Sequence, residues 1–402
     1  MNAVRNMRET EFVALMALMM SLVALSIDAI LPALPNIAQQ LEVSAGNGIQ
    51  QVVAVLFLGL TIGQLFYGPL SDQLGRKPAI MWGTAVYIIG SLICAMADDF
   101  TLLLLGRFLQ GFGVAAMRVL SFALVRDLYS GAAMARIMSL AMSVFILVPC
   151  LAPLLGQSIL AVADWRSIFW VLVLFSLCLI LWFWLRQKET LSIEKRVPMN
   201  LSTVYAGWRE TCTNPITVRY ILAAGLIQGG FTAYLLSAQQ IFDLKYQTGD
   251  LFALYFAILA LAIGAASLLN ARIVRQVGMS KICAIAAALS IGASGVGLLF
   301  ELTGLLSFVG FMLVQGVILF TAGLMLGNMN AIAMQPVGHI AGVASSIISF
   351  ISGSLSLAVG VLIGSSFDLS VAPLFAGVLF CSIGALTLVR YKGKPAYSEQ
   401  GY

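Results

Sequence analysis

Three charged residues lie within long apolar stretches of the chain, namely Asp28, Arg107 and Arg118. A charge at the centre of a membrane costs at least about 2.5–3.5 kcal/mol, so each of them needs a function or a partner. Asp28 is the only carboxylate in a predicted membrane span, and intramembrane carboxylates serve as proton relays. Asp28 is therefore predicted to carry a coupling proton, which would make a proton gradient the energy source.

Arg107 is the predicted partner of Asp28. Each lies about six residues, or about 9 Å, from the outer end of its predicted span. The two could face each other across a cavity, so that Arg107 or a cationic substrate decides when Asp28 holds a proton. Alternatively they form a static ion pair between the first and fourth spans, or Asp28 is an interfacial residue that water reaches.

Arg118 lies on the same helix face as Arg107, about 16 Å further along the axis. It could bind backbone carbonyls near the inner mouth, attract an anionic group, or extend toward the aqueous phase. We expect a structural or gating role for Arg118 rather than direct contact with the substrate.

The segment from Gly68 to Pro78 concentrates glycine, proline and charge between two apolar stretches. Lipid offers no partners to an irregular backbone, so we predict a tight loop at a membrane surface. Asp72 can accept hydrogen bonds from Arg76, and Asp127 at the end of the fourth span is placed to meet Arg76. The loop could lock and release helix ends, or it could be a basic turn that only fixes orientation.

Composition identifies an integral membrane protein. Of the 402 residues, 60% are hydrophobic and 10% are charged, whereas a soluble domain carries about 25% charged residues. The net charge of +5 does not predict a nucleic-acid partner, because the Lys and Arg residues are scattered over short loops.

Apolar stretches of membrane-spanning length predict twelve transmembrane helices. They lie near residues 12–34, 48–70, 79–97, 101–126, 137–160, 167–186, 218–240, 251–273, 281–300, 304–334, 340–364 and 371–390. The predicted fold class is all-α integral membrane, with two pseudo-symmetric six-helix bundles at residues 1–186 and 218–402. A cytoplasmic linker at residues 187–217 joins them, and part of it could be a helix on the membrane surface.

Charge predicts the orientation of these spans. Lys and Arg residues concentrate in alternate loops, and the intervening loops carry acids. By the positive-inside rule both termini are cytoplasmic, and we expect a monomer in the bacterial cytoplasmic (inner) membrane.

The two halves contain short matching segments. Leu109-Gln110-Gly111 in the fourth span corresponds to Val314-Gln315-Gly316 in the tenth, and Gly75 corresponds to Gly278. Such repeats are typical of secondary transporters, in which the substrate binds between two halves. Chance similarity between apolar sequences is the alternative.

Several segments resemble the motifs of the major facilitator superfamily. Gly68–Lys77 resembles its G-x-L-x-D-x-x-G-R-K signature, and Arg107-x-x-Gln110-Gly111-x-Gly113 resembles its fourth-helix motif, which has no charge at the position of Arg118. Ala152–Gly156 resembles the fifth-helix motif of its antiporters. Asp28-x-x-x-Pro32-Ala-Leu-Pro35 and Val125–Tyr129 are similar to the bicyclomycin/chloramphenicol-resistance (Bcr/CflA) group of drug:proton antiporters.

The resemblance implies a latch that holds the outward-open state and separates when the inside opens. Its residues would be Gly68, Asp72, Gly75, Arg76, Arg126 and Asp127. It also implies a fifth-helix motif at Pro149, Pro153 and Gly156, where each proline removes a hydrogen bond and should bend the helix.

A drug cavity is expected to be mostly apolar with a few polar groups, and the chain offers few polar candidates. The candidate residues are Phe57, Thr61, Phe145, Gln228, Phe231, Tyr234 and Tyr255. His339, the only histidine, lies in a turn, so we predict neither a metal site nor a bound cofactor.

Three functions are compatible with the sequence. The first is a proton-coupled multidrug antiporter that exports amphipathic small molecules, with Asp28 carrying the proton. The second is a major facilitator carrier, antiporter or symporter, for a physiological metabolite. The third, a membrane-embedded enzyme or receptor, is disfavoured because nucleotide-binding and catalytic motifs are missing.

Overall fold

The computed structural model describes residues 7–43, 47–196 and 201–390, and the predicted cytoplasmic ends of the chain extend outside this range. Its helices are α1 (Glu9–Asp28), α2 (Leu34–Gln40), α3 (Gln51–Leu74), α4 (Arg76–Ala95), α5 (Phe100–Leu128), α6 (Gly131–Leu160), α7 (Arg166–Arg186), α8 (Leu201–Thr213), α9 (Pro215–Gln240), α10 (Phe252–Val277), α11 (Met279–Leu302), α12 (Phe308–Met334), α13 (Ala341–Gly364) and α14 (Ala372–Arg390). Short helical segments lie at Leu31–Ala33, Asn47–Gln50, Ile193–Lys195, Ile241–Lys245, Gly249–Leu251 and Gln335–Ile340. The part of the chain that the structure describes contains no strand.

Twelve of the helical segments are long and apolar enough to cross a membrane, as predicted. The first of these segments runs from Glu9 to Gln40 and combines α1 with α2. The short helix α8 lies in the predicted linker and packs on α13, where the rings of Trp208 and Phe350 are 5.9 Å apart. The all-helical multi-pass fold is therefore confirmed.

Polar residues begin several of the helices. Asp99 accepts a hydrogen bond from the backbone N–H of Leu102 at 2.8 Å, and Ser307 accepts one from Gly310 at 3.1 Å. These caps satisfy N–H groups that have no partner within the helix. The predicted start of the tenth span at residue 304 is wrong, because Gly304 has a positive φ of 71° and α12 begins only after the Ser307 cap.

The predicted loop from Gly68 to Pro78 is instead a turn of one residue. Helix α3 continues through Pro69 and Asp72 to Leu74, and α4 begins at Arg76. Gly75 alone reverses the chain, with a φ of 107° that side chains rarely adopt. Gly278, its predicted counterpart, separates α10 from α11 in the same way, with a φ of 86°.

Small residues bring the helices of the N-terminal half into backbone contact. A methyl group at Gly111 would overlap the carbonyl oxygen of Leu56 in α3, and one at Gly113 would overlap the backbone of Tyr87 in α4. Small residues let helix backbones approach this closely, and α5 is therefore held between α3 and α4.

The two halves meet along α3 with α13 and along α6 with α10. We call the end that carries Asp28, Gln50 and Gln240 the Asp28 end, and the opposite end the Gly75 end. One buried apolar cluster combines the N-terminal half with residues of the C-terminal half at the Asp28 end, including Tyr234. A second cluster belongs to the C-terminal half at the Gly75 end, so the halves share a continuous apolar core only toward Asp28.

Candidate functional site

A cavity of about 210 Å³ lies between the two halves, on the Gly75 side of this shared core. Helices α3, α5, α9, α12 and α13 contribute its walls. The lining residues are Phe57, Leu60, Thr61, Gln64, Arg118, Gln228, Thr232, Asn330, Met334, Ser345, Ile348, Ser349, Ser352, Gly353, Ser356 and Leu357.

Ten of the sixteen described lining residues of this cavity are polar or charged, which is more than the few polar groups expected of a drug cavity. Ser345, Ser349, Ser352 and Ser356 recur at intervals of three and four residues, which places them on one face of α13. This serine spacing is visible in the sequence and could have indicated a polar face of α13. The apolar composition of the span as a whole obscured this pattern.

Three of the predicted cavity residues, Phe57, Thr61 and Gln228, line the cavity. Phe231 lines a second, much smaller cavity within the C-terminal half. Tyr234 is buried against Phe256, with ring centroids 5.9 Å apart.

Two further candidates lie elsewhere. Tyr255 packs between Phe242 and Phe308, at centroid distances of 6.0 and 4.8 Å, and is not part of the wall. Phe145 belongs to α6, but its side chain is outside the described residues.

Arg118 is the one charged residue among the described residues of the cavity wall. Its side chain forms no hydrogen bond or ion pair with any residue that the structure describes. It therefore presents an unpaired guanidinium group, with five N–H donors, to the space between the halves.

Arg107 lies in a different environment, although the helix period places it on the same face. It is fully buried and donates hydrogen bonds to the carbonyl oxygens of Val52 at 2.9 Å and Ser26 at 3.0 Å. It also donates to Gln110 Oε1 at 2.5 Å. The structure contains no ion pair between Arg107 and Asp28, and Arg107 joins α5 to α1 and α3 through backbone carbonyls.

Asp28 is buried at the last residue of α1, with 5% of its surface exposed. Asp28 lies within electrostatic range of Cys150 in α6 and Tyr234 in α9, which belong to opposite halves. Among the described residues, no hydrogen bond to its side chain is present. Asp28 therefore lies at the junction of the halves, outside the lining of the cavity.

Gly156 brings α6 against the chain next to Asp28. A methyl group at Gly156 would overlap the carbonyl oxygen of Ala29. Pro149 and Pro153 both lie within α6, which continues through them to Leu160. The fifth-helix motif therefore fixes the backbone that carries Asp28.

A polar contact closes the Asp28 end. Gln50 Nε2 donates to Gln240 Oε1 at 2.7 Å and to the carbonyl oxygen of Gly364 at 3.0 Å. These bonds connect the start of α3 with the ends of α9 and α13, so they join the two halves.

The predicted latch residues meet at the Gly75 end. Arg76 Nη1 lies 2.6 Å from Asp72 Oδ1, and Arg76 Nε lies 3.0 Å from Asp127 Oδ2. Ser71 Oγ accepts a further bond from Arg76 at 2.6 Å. Arg126, also predicted to belong to the latch, is exposed and forms no ion pair with these residues.

All of the latch ion pairs lie within the N-terminal half, so they can form whichever way the halves tilt. Two residues of this region, Gly68 and Asp72, contact the C-terminal half. A methyl group added at Gly68 would overlap Ser346 Oγ in α13. Asp72 Oδ2 is 3.7 Å from the position of a Cβ atom at Gly342, at the start of α13. The latch is thus formed while the Gln50–Gln240 contact joins the halves at the Asp28 end.

Glu189 is a latch residue that sequence reasoning missed. Its carboxylate accepts hydrogen bonds from the backbone N–H groups of Arg76 and Lys77, both at 3.0 Å. The next residue, Thr190, donates to Asp127 Oδ2 at 3.0 Å. An acid directly after the sixth span was the available signal, but its partners are more than a hundred residues away.

Comparison with known proteins identifies the family. The sequence model of the Major Facilitator Superfamily matches residues 16–361. This chain belongs to the major facilitator superfamily. It is a multi-pass membrane transporter and not an enzyme.

The transporter has relatives among bacterial proteins. It is 33% identical over 347 residues to the uncharacterized MFS-type transporter YdgK of Bacillus subtilis, covering 85% of each chain. It is 32% identical over 360 residues to the bicyclomycin resistance protein homolog of Haemophilus influenzae, covering 88% of each. The multidrug resistance protein MdtL of Escherichia coli is 35% identical over 164 residues, which is 41% of this chain and 42% of MdtL. The resemblance to bicyclomycin-resistance proteins is therefore confirmed.

Solved structures support the fold of this transporter. The xylose transporter XylE from E. coli, in a partially occluded inward-open conformation, matches with a TM-score of 0.74 at 12% identity. The match covers 98% of this chain and 99% of XylE. The predicted major facilitator fold is confirmed.

Proposed function

We propose that this transporter is a proton-coupled antiporter that exports amphipathic small molecules, with both termini in the cytoplasm of a bacterium and the chain in its inner membrane. The relatives named for bicyclomycin and multidrug resistance support export of drugs. The Gly75 end is then the cytoplasmic end, and the Asp28 end is external.

The position of Asp28 carries this proposal. It is a buried carboxyl group within electrostatic range of residues in both halves. A charge there is costly, so binding or losing a proton changes the free energy of opening this junction. A proton on Asp28 can thereby bias which end is open without entering the cavity.

In the proposed transport cycle, the Gly75 end and the Asp28 end open in turn. Opening the Gly75 end lets substrate enter the cavity from the cytoplasm, while the Gln50–Gln240 contact holds the Asp28 end. Breaking that contact releases substrate outside and exposes Asp28 to external protons. Asp28 then binds a proton, which it loses to the cytoplasm after the halves tilt back.

A carrier for a physiological metabolite is the second candidate, and the polar cavity wall favours it. Hydroxyl and amide groups of Thr61, Gln64, Gln228 and Asn330 face the cavity, and they suit a hydrophilic molecule. The two candidates differ in substrate but share the cavity and the proton site.

Everted membrane vesicles test the proposal. Vesicles with wild type or Asp28→Asn protein receive an imposed pH gradient, and a dye reports lumenal pH after addition of bicyclomycin or chloramphenicol. We expect drug-dependent proton release with the wild type only. Release with both proteins would move the proton site away from Asp28, and no release with any drug would favour the metabolite carrier.

A further inference from the structure

Among the residues that the structure describes, the cavity wall carries one positive charge and no acid to balance it. Arg118 is the charged lining residue, and the remaining side chains are apolar groups, hydroxyls and amides. Two acids of the Gly75 end, Asp72 and Asp127, are already paired with Arg76. Asp28 lies outside the lining. Arg118 therefore has no anionic partner among the described residues, and a buried charge without one is unfavourable.

Other polar groups of the cavity wall also lack hydrogen-bond partners. The hydroxyls of Thr232 and Ser356 bond to each other at 2.9 Å, and Ser352 Oγ donates to the carbonyl oxygen of Ile348 at 2.7 Å. In contrast, the amides of Gln64 and Gln228 have no partner among the described residues. Each amide offers two N–H donors and one acceptor oxygen, and Arg118 adds five donors and no acceptor. The unused donors therefore outnumber the unused acceptors, and an oxyanion is a ligand that such donors recognise.

We propose that the substrates of this cavity carry a carboxylate or a similar oxyanion, which Arg118 binds through its guanidinium group. The inference rests on the proposed function, in which this cavity is the transport site. The planar fork of an arginine matches the two oxygens of a carboxylate. Phe57, Leu60 and Met334 supply apolar surface for the rest of the molecule, so the preferred ligand is an amphipathic acid. This assigns Arg118 direct contact with substrate, contrary to the structural or gating role expected from the sequence.

Equilibrium binding to the full-length protein in lipid nanodiscs tests the inference without requiring transport. The probes are radiolabelled 2-naphthoate, its methyl ester and 2-naphthylmethylammonium, which share one apolar ring system and differ in charge. We expect wild type to bind the naphthoate at least about tenfold more tightly than either of the other probes. Equal affinity for the ester or the ammonium probe, or no saturable binding of naphthoate, would overturn the inference.

Variants then locate the contact. Arg118→Gln should weaken naphthoate binding by at least about tenfold, and Arg118→Lys, which keeps the charge but not the fork, should lose less. Arg275→Gln removes an exposed arginine of α10 that does not line the cavity, so it should bind as wild type does. Unchanged binding by Arg118→Gln would refute the contact. If that variant does not fold, the comparison of the three probes on wild type still decides.

The binding result separates this inference from the proposed function. Failure of naphthoate binding, with drug-dependent proton release intact in the vesicles, would leave an exporter of uncharged or cationic molecules. Selective naphthoate binding that depends on Arg118, without release by any drug, would support the anion site and reject drug export.

Discussion

The carboxylate of Glu189 caps the helix that begins at Arg76. Glu189 Oε1 accepts the backbone N–H of Arg76 at 3.0 Å, across 113 residues of sequence. A carboxylate at a helix N-terminus both satisfies free N–H groups and complements the helix dipole. The chain that leaves the sixth span is thereby tied to the turn between the second and third spans.

Glu189→Gln should destabilise the Gly75 turn. A lost cap costs about 0.5–2 kcal/mol, and this cap joins Glu189 after α7 to the start of α4, so it forms whichever way the halves tilt. Denaturant unfolding in detergent measures the lower stability. The rate of maleimide labelling of Ser349→Cys, in the cavity wall, in a background without other cysteines, should stay at the wild-type value. Glu194→Gln, at an exposed residue of the same segment, is the control and should unfold as wild type does. Equal stability of the two variants would contradict a role for the cap.

Asp72→Asn should open the Gly75 end more than Asp127→Asn does. Each variant removes one ion pair with Arg76, and such partly exposed pairs contribute at most about 1 kcal/mol. Asp72 also lies against the N-terminus of α13, where a negative charge contributes about 0.3–1 kcal/mol more.

The same labelling assay measures this difference. Asp98→Asn is the control, since the Asp98 side chain is 98% exposed and lies 4.0 Å from its only ion-pair partner among the described residues, Arg166. A larger effect of Asp127→Asn would show that pairing within the N-terminal half, rather than contact with α13, sets the balance.

Gly156→Ala should disrupt the region around Asp28, because the added methyl group overlaps the carbonyl oxygen of Ala29. Overpacking of this kind costs about 1–3 kcal/mol. We expect a lower thermal unfolding midpoint and loss of drug-dependent proton release. Gly292→Ala is the matched control in α11, since nothing lies within 4 Å of its added methyl group. Similar behaviour of the two variants would mean that α6 moves aside without consequence.

Arg107→Lys should destabilise the N-terminal half even though the charge is kept. A lysine cannot reach the carbonyls of Val52 and Ser26 and the amide of Gln110 together, and each lost bond to a charged donor costs about 1.5–3 kcal/mol. Denaturant unfolding in detergent measures the change, with the exposed Arg275→Lys as the control. Wild-type stability of Arg107→Lys would show that charge alone is needed at this position.

Much of the fold was predictable from local composition. Span lengths follow from the thickness of the bilayer, so apolar stretches alone predicted twelve spans. The pairing of Arg76 with Asp127 was also predictable, because both lie next to span ends that charge assigns to the same side of the membrane. The length of the Gly75 turn was not predictable. Proline and charged residues are common in loops, but α3 remains helical through Pro69 and Asp72.

The environments of the two arginines of α5 show what only the tertiary structure decided. Periodicity places Arg107 and Arg118 on one helix face, but it does not say what packs against each level of that face. Arg107 donates hydrogen bonds to the backbone carbonyls of Val52 and Ser26. Arg118, further along α5, faces the cavity between the halves. The position of Glu189 on the Gly75 turn was likewise unpredictable. The sequence alone therefore determined which segments cross the membrane and which charges lie within them, because these depend on local polarity. Which charges are paired and which face the cavity depended on contacts between distant segments.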